Sequence, residues 1–318
     1  MHIKRNTYFK IIVVSLSVFL ALLVSEFFFG SGKEGGDKIS YKRLNDSINE
    51  YNKQFASKNP YGFTDYDREK EKPDSIFRIV VMGDSYIWGD GLAFEKTWGH
   101  KLGRKINERF KNVETLSWGK NGWSIRDEYQ FFIETGYQYH ADLLLFGFGH
   151  NDPDMGIFKH LDPIWYKRLG FMYKVFPQLT GKVLDYFYNR SYEKWVNKLY
   201  TPENLDTFEV LLHDVKLLEK KYDLNIAFIM TPRNLHPDYN TFFPKIEVLF
   251  NNQGLSYINL FPLMQETFAT TPPDSMMANP ANGHPGDKVT EFYADEALRF
   301  IISEALLDTI GLIKTELR

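Results

Sequence analysis

Five short apolar runs, separated by amphipathic or polar stretches, constrain this chain more than any other feature. They lie at 77–82 (FRIVVM), 113–118 (VETLSW), 142–148 (DLLLFGF), 224–230 (LNIAFIM) and 255–260 (LSYINL). Segments near 95–110, 124–136, 205–221 and 242–252 carry helical patterns. A last one, at about 287–307, places Val289, Phe292, Tyr293, Ala297, Phe300 and Ile301 on one face. Strands alternating with helices predict an α/β fold, a parallel sheet with helices on both faces. Residues 152–204 break the rhythm, contain no clear strand, and read as a helical, aromatic-rich insertion.

The N-terminus has a different character. Lys4, Arg5 and Lys10 precede IIVVSLSVFLALLVS, 15 residues without a charge, followed by Glu26 and FFFG. A positive flank before an apolar run marks an export signal whose N-terminus stays in the cytoplasm. The run lies between a signal-peptide core and a full span of about 20 residues in length. No A-x-A site follows it, and the chain has no cysteine to carry a lipid. The expectation is an uncleaved signal-anchor over 1–30 that holds the chain on a membrane, the alternative being a cleaved signal and a secreted protein. Either way the remaining chain lies outside the cytoplasm, in a periplasm or at a cell surface. Residues 31–58 are polar and read as a linker or loosely helical stalk, so the globular domain is expected to span 59–318.

Lys and Arg number 38 against 41 Asp and Glu, a net charge of −3, which gives no reason to expect a nucleic-acid partner. The absence of cysteine also removes disulfides and thiolate metal sites.

Residues that can carry chemistry sit at the ends of the predicted strands. Gly83-Asp84-Ser85 closes the first, and in open α/β sheets ligands collect at the carboxyl ends of strands. Ser85 is therefore a candidate nucleophile, although the same tripeptide also reads as an ordinary helix cap. It is not a G-x-S-x-G elbow, because Ile87 stands where that motif has glycine. The second strand ends in SWGKNGWS, where Gly119 would let a backbone N–H approach an oxyanion closely. The third ends in Gly149-His150-Asn151-Asp152. The Asn151 amide is a further candidate donor to that oxyanion, or else the start of an Asx turn. His284, between Gly283 and Pro285 in NPANGHPGD (279–287), is placed to act as general base and then general acid.

In this order the Ser, Gly, Asn and His signals resemble the SGNH/GDSL hydrolase family, over about residues 60–307. The resemblance implies a three-layer α/β/α fold with a flavodoxin-like, five-stranded parallel sheet. It implies Ser85 as nucleophile, His284 as base, and an oxyanion hole made by the Ser85 and Gly119 backbone N–H groups and the Asn151 side chain. It implies no metal or organic cofactor.

One part of the pattern is missing. The family's acid lies three residues before the histidine, where this chain has Ala281, followed by Asn282. Uncompensated loss of that acid costs about 10⁴-fold in rate. Three solutions stay open. A Ser85–His284 dyad suffices, with a backbone carbonyl or the Asn282 amide oxygen orienting the ring. Another carboxylate substitutes, Asp287 and Asp274 being nearest in sequence. Or the protein is weakened or non-hydrolytic.

The function expected is that of a membrane-anchored, extracytoplasmic serine esterase removing a short acyl group, such as acetyl, from a saccharide. An acyltransferase on the same fold and an envelope protein that binds glycan or a partner in the cleft are the alternatives. In the insertion, Trp165, Tyr166, Phe171, Tyr186, Tyr188 and Trp195 suit either a wall beside the site or a small cap packing its own core. Lys159, Lys167, Arg168, Lys174 and Lys182 would permit contact with an anionic membrane surface.

Overall fold

The computed structural model describes residues 5–30, 34–157, 176, 190–279 and 282–307. The chain forms two compact units: Met1–Ser40 with Gly156–Asn197, and Tyr41–Met155 with Lys198–Arg318.

In the first unit, α1 (Arg5–Gly30) is apolar on every side, and Ile12, Val14, Leu16 and Leu20 are all more than half exposed. Its uncharged run rises only about 22 Å at 1.5 Å per residue, against about 30 Å of bilayer hydrocarbon. Among the described residues no helix is long and apolar enough to cross a membrane. Of the insertion, the described residues 190–199 are helical, and Phe176, Trp195 and Val196 are buried. The remaining aromatic and basic residues singled out there lie outside the described residues.

The second unit begins within α2 (Glu34–Ala56) and holds the sheet. Its strands are β1 (Phe77–Gly83), β2 (Val113–Gly119), β3 (Leu143–Phe148), β4 (Asn225–Met230) and β5 (Ser256–Asn259), each within two residues of expectation. All pair in parallel in the order β2-β1-β3-β4-β5, the flavodoxin-like doubly wound order. In chain order the helices are α3 (Ser85–Trp88), α4 (Trp98–Arg109), α5 (Ile125–Glu134), α6 (Pro202–Tyr222), α7 (Tyr239–Gln253), α8 (Phe261–Thr267) and α9 (Asp287–Ser303). A two-stranded antiparallel hairpin, β6 (Met277–Asn279) with β7 (Asn282–Pro285), precedes α9.

The period-2 alternation of strand side chains divides the core into two layers. Ile79, Val81, Leu143, Leu145, Ala227 and Ile229 pack with Trp98, Leu102 and Ile106 of α4 and with the α9 face read from the sequence. On the opposite side Phe148 meets Phe208 of α6 and Phe243 and Phe250 of α7, while Trp118 meets Phe131 of α5. The result is the expected three-layer α/β/α sandwich. Lys101, 3% exposed, ties α4 to α9 through Asp287 (2.5 Å) and Glu291 (3.2 Å).

The second unit also takes in residues before 59. α2 is a formed helix whose later turns pack onto the sheet domain: Asn52 Nδ2 donates to the Leu92 carbonyl at 2.7 Å, and Phe55 stacks on Phe94 at 4.1 Å. Polar composition suggested a linker because α2 is anchored by one apolar ring and buried amides rather than by an apolar stripe.

Candidate active site

The sheet order fixes where a ligand can sit. β2 and β3 flank β1 on opposite sides, so the connections after β1 and β3 diverge and leave a crevice at their carboxyl ends. Ser85 follows β1, and the segment from Gly149 to Asp152 follows β3. In register, Gly83 stands opposite both Gly119 and Gly147, so three adjacent strands carry glycine at one level near their carboxyl ends. α3 lies on this glycine floor with Ile87 buried, 1% exposed. A Cβ added at Gly83 would lie 2.4 Å from Ile87 Cγ1. One added at Gly119 would lie 2.3 Å from the Trp88 backbone nitrogen, and one at Gly147 would lie 3.1 Å from Ile87 Cδ1. The glycines let the turn carrying Ser85 approach the sheet, which is why Ile87 replaces the glycine of an elbow motif. Asp84 caps the turn by accepting from the Tyr86 N–H at 2.8 Å.

Ser85 and His284 come together across 199 residues of sequence, with Oγ 2.8 Å from His284 Nε2. His284 stands on β7, and its Nδ1 lies 2.6 Å from Asn282 Oδ1. An amide oxygen only accepts, so this contact places the ring proton on Nδ1 and leaves the Nε2 lone pair for the serine hydroxyl. Asn282 Oδ1 also accepts from the His284 backbone N–H at 3.1 Å. The amide oxygen read from the sequence as one possible orienter therefore occupies that place. Ala281 lies outside the described residues.

The two carboxylates nearest in sequence are not the ones beside the imidazole. Asp287 is held by Lys96 (2.9 Å) and Lys101 (2.5 Å) on the α4–α9 seam, and those cations keep its carboxyl below the usual range against the opposing effect of burial. Asp274 is exposed on the Pro273–Met276 turn. Among the described residues, the carboxylate that approaches His284 is Asp90, with Oδ2 3.8 Å from Nδ1. Its Oδ1 accepts from Asn282 Nδ2 at 3.4 Å. Sequence reasoning missed Asp90, because it lies on the loop just after α3 and not near the histidine. The available signal was the Gly89-Asp90-Gly91 triplet, whose two glycines adopt positive φ (82° and 79°) and turn the chain back toward the site.

Asn151 stands beside the turn that carries Ser85. Its side chain bonds the Asp84 carboxylate, and its Nδ2 donates to the Trp123 carbonyl at 3.3 Å. Gly119 meets the same turn through the close approach described above. Beneath these loops lie three buried carboxyl groups. Burial raises Asp84 to about 6, although the Tyr86 N–H and Asn151 oppose the shift. Burial, then repulsion from neighbouring carboxylates, Asp84 and Asp127 among them, holds Asp152 and Glu128 well above the carboxylate range. Asp152 Oδ2 accepts from the Gly149 N–H at 2.5 Å, which shapes the loop that presents Asn151. Burial lowers His150 to about 3, aided by Arg233 and His284, so that ring stays neutral. Burial also lowers His284, with Arg233 adding to the shift and Asp90 opposing it.

A doubly wound α/β sandwich with a serine–imidazole pair at its topological switch point is the class these features define. No family model and no curated protein matches the sequence. Among solved structures the chain is similar to the acetyl xylan esterase AlAXEase, at 15% identity over 73% of this chain and 100% of that one, TM-score 0.45. It is similar to Axe2, an acetylxylan esterase from Geobacillus stearothermophilus, at 13% identity over 71% and 94%, TM-score 0.47. It is also similar to the lipase/acylhydrolase from Enterococcus faecalis, at 13% identity over 76% and 100%, TM-score 0.44.

Proposed function

We propose that this chain is a serine esterase of the SGNH/GDSL type. The observation that carries the reading is the 2.8 Å contact between Ser85 Oγ and an imidazole nitrogen whose other nitrogen is already committed as a donor. Ser85 Oγ attacks the ester carbonyl carbon while its proton passes to His284 Nε2. The carbon–oxygen bond to the alcohol then breaks, and His284 returns the proton to the leaving alkoxide. Water repeats the sequence on the acyl-enzyme, giving the carboxylic acid and free Ser85. The Ser85 and Gly119 N–H groups are the oxyanion donors in this reading, joined by the Asn151 amide as it exchanges its 3.3 Å contact with the Trp123 carbonyl for the oxyanion, and the meeting of all three segments at one end of the sheet supports it.

The substrate class we propose is a short acyl ester, such as acetyl, carried on a saccharide. We further propose that α1 holds the enzyme at a membrane on the extracytoplasmic side, supported by its basic flank and its exposed apolar surface. Hydrolysis of p-nitrophenyl acetate by the full chain tests the chemistry. Ser85→Ala and His284→Ala each reduce turnover to background if the reading is right; turnover that survives Ser85→Ala refutes it.

A further inference from the structure

Asp90, Asn282 and His284 form a chain of hydrogen bonds with one consistent polarity. His284 Nδ1–H donates to Asn282 Oδ1 at 2.6 Å, and Asn282 Nδ2–H donates to Asp90 Oδ1 at 3.4 Å. The same carboxylate also faces the imidazole directly, its Oδ2 standing 3.8 Å from Nδ1. The loop is shaped for this. Gly91 has φ +79°, and a Cβ on it would lie 2.4 Å from Asn282 Nδ2 and 3.0 Å from the Ala278 side chain, so a glycine leaves the room the amide occupies. The base gains positive charge as it takes the serine proton, and a fixed negative charge behind it lowers that cost.

We propose that Asp90 is the acid of this site, displaced to the loop after the nucleophile and acting on His284 through the Asn282 amide as well as through space. The inference rests on the esterase reading and deepens it. Asp90 is a positioning and charge-supplying residue that touches the base and not the substrate. An acid bonded directly to the imidazole is worth about 10⁴-fold, whereas an exposed charge contributes little. With an intervening amide and a side chain 24% exposed, Asp90 belongs between these limits, at about 10- to 30-fold in kcat. That is about 1.4–2 kcal/mol of barrier.

Arg233 is the opposing charge at His284, so the effect of Asp90 on the imidazole has a defined sign. Asp90→Asn, near-isosteric and still able to accept a hydrogen bond, lowers kcat by that factor with KM within about twofold. It also moves the acidic limb of the kcat/KM profile to lower pH, because the imidazolium has lost its counter-charge. Asp90→Glu recovers part of the loss. The exchange Asp90→Asn with Asn282→Asp puts the carboxylate directly on Nδ1 and moves the limb above that of the unmodified chain. A fall in activity caused by loosening alone leaves that limb where it is. The His284 ring titration by NMR, assigned with His284→Gln, reads the same sign without turnover. Absence of Ser85-dependent hydrolysis would therefore overturn the esterase reading, while the ring titration still decides Asp90. An imidazole pKa unchanged or raised in Asp90→Asn overturns the proposal, as does a double exchange that titrates like Asp90→Asn alone.

Discussion

Alanine at Gly83 and alanine at Gly119 should fail in different ways, although both glycines face the same turn. At Gly83 the new Cβ would lie 2.4 Å from Ile87 Cγ1, with the other near atoms, Gly147 O and Ile87 Cβ, at 3.3 and 3.4 Å. The obstacle is one side-chain carbon, and Ile87→Ala removes it. At Gly119 the new Cβ would lie 2.3 Å from Trp88 N, 2.6 Å from the Ile87 carbonyl carbon and 2.7 Å from Ile87 Cβ. Those atoms survive in Ile87→Ala, so the turn itself must move. Overpacking at Gly83 should cost about 1–3 kcal/mol, and Ile87→Ala alone about 2–5 kcal/mol from its cavity. The pair should be less damaging than the sum of its parts, with a coupling of about 1–3 kcal/mol. Gly119→Ala should gain nothing from Ile87→Ala. It should also lose about 100-fold in kcat, because a shift of about 1 Å breaks the alignment of Ser85 with His284. Urea denaturation of the three single and two double variants, with p-nitrophenyl acetate turnover on each, gives both readouts. Additive behaviour at Gly83, or rescue of Gly119→Ala by Ile87→Ala, would refute the glycine-floor account.

Other expectations follow from the electrostatics and from α2. The Asp84 carboxyl titrates at about 6 in the fold against an ordinary 3.8, so the folded state retains a proton that the unfolded chain gives up. Stability should therefore fall by about 3 kcal/mol as pH rises from about 4 to 6, and urea midpoints should show this part of the slope flattened in Asp84→Asn. Because His284 lies below the ordinary imidazole value of 6.5 and must be neutral to act, kcat/KM should reach half its plateau below pH 6.5. Arg233→Met should move that limb upward. A chain starting at residue 41 should keep the fold, whereas one starting at 59 loses Asn52 and Phe55 and should unfold more easily by about 3 kcal/mol. Thermal or urea midpoints of the two chains decide this.

The sheet was readable because its signals are local. Runs such as FRIVVM and DLLLFGF are long enough to declare strands, and the periodic face from Val289 to Ile301 declares its helix. The serine and histidine were readable because each sits at the end of such an element. What escaped depends on contacts between distant segments. α3 is a single turn, too short for any periodicity. The β6–β7 hairpin has a bulged register between Met277 and Asn279, and its strands are only three and four residues long. Asp90 and Asn282 meet across 192 residues, and nothing near either one announces the other. Asp287 looked like a candidate acid by proximity, yet Lys96, just before α4, and Lys101, on it, claim it. Which carboxylate stands beside the imidazole is set by contacts across the fold and not by distance along the chain from His284.

If Ser85 takes up an acyl group with His284 as its base, the acyl-enzyme can be trapped by rapid acid quench of the full chain during p-nitrophenyl acetate turnover and read by peptide mass analysis. An acetyl group is expected on the peptide containing Ser85, lost on further incubation and absent in both Ser85→Ala and His284→Ala. Turnover with Ser85 left unmodified at every quench time, or an acetyl group residing on another side chain in step with turnover, would contradict it.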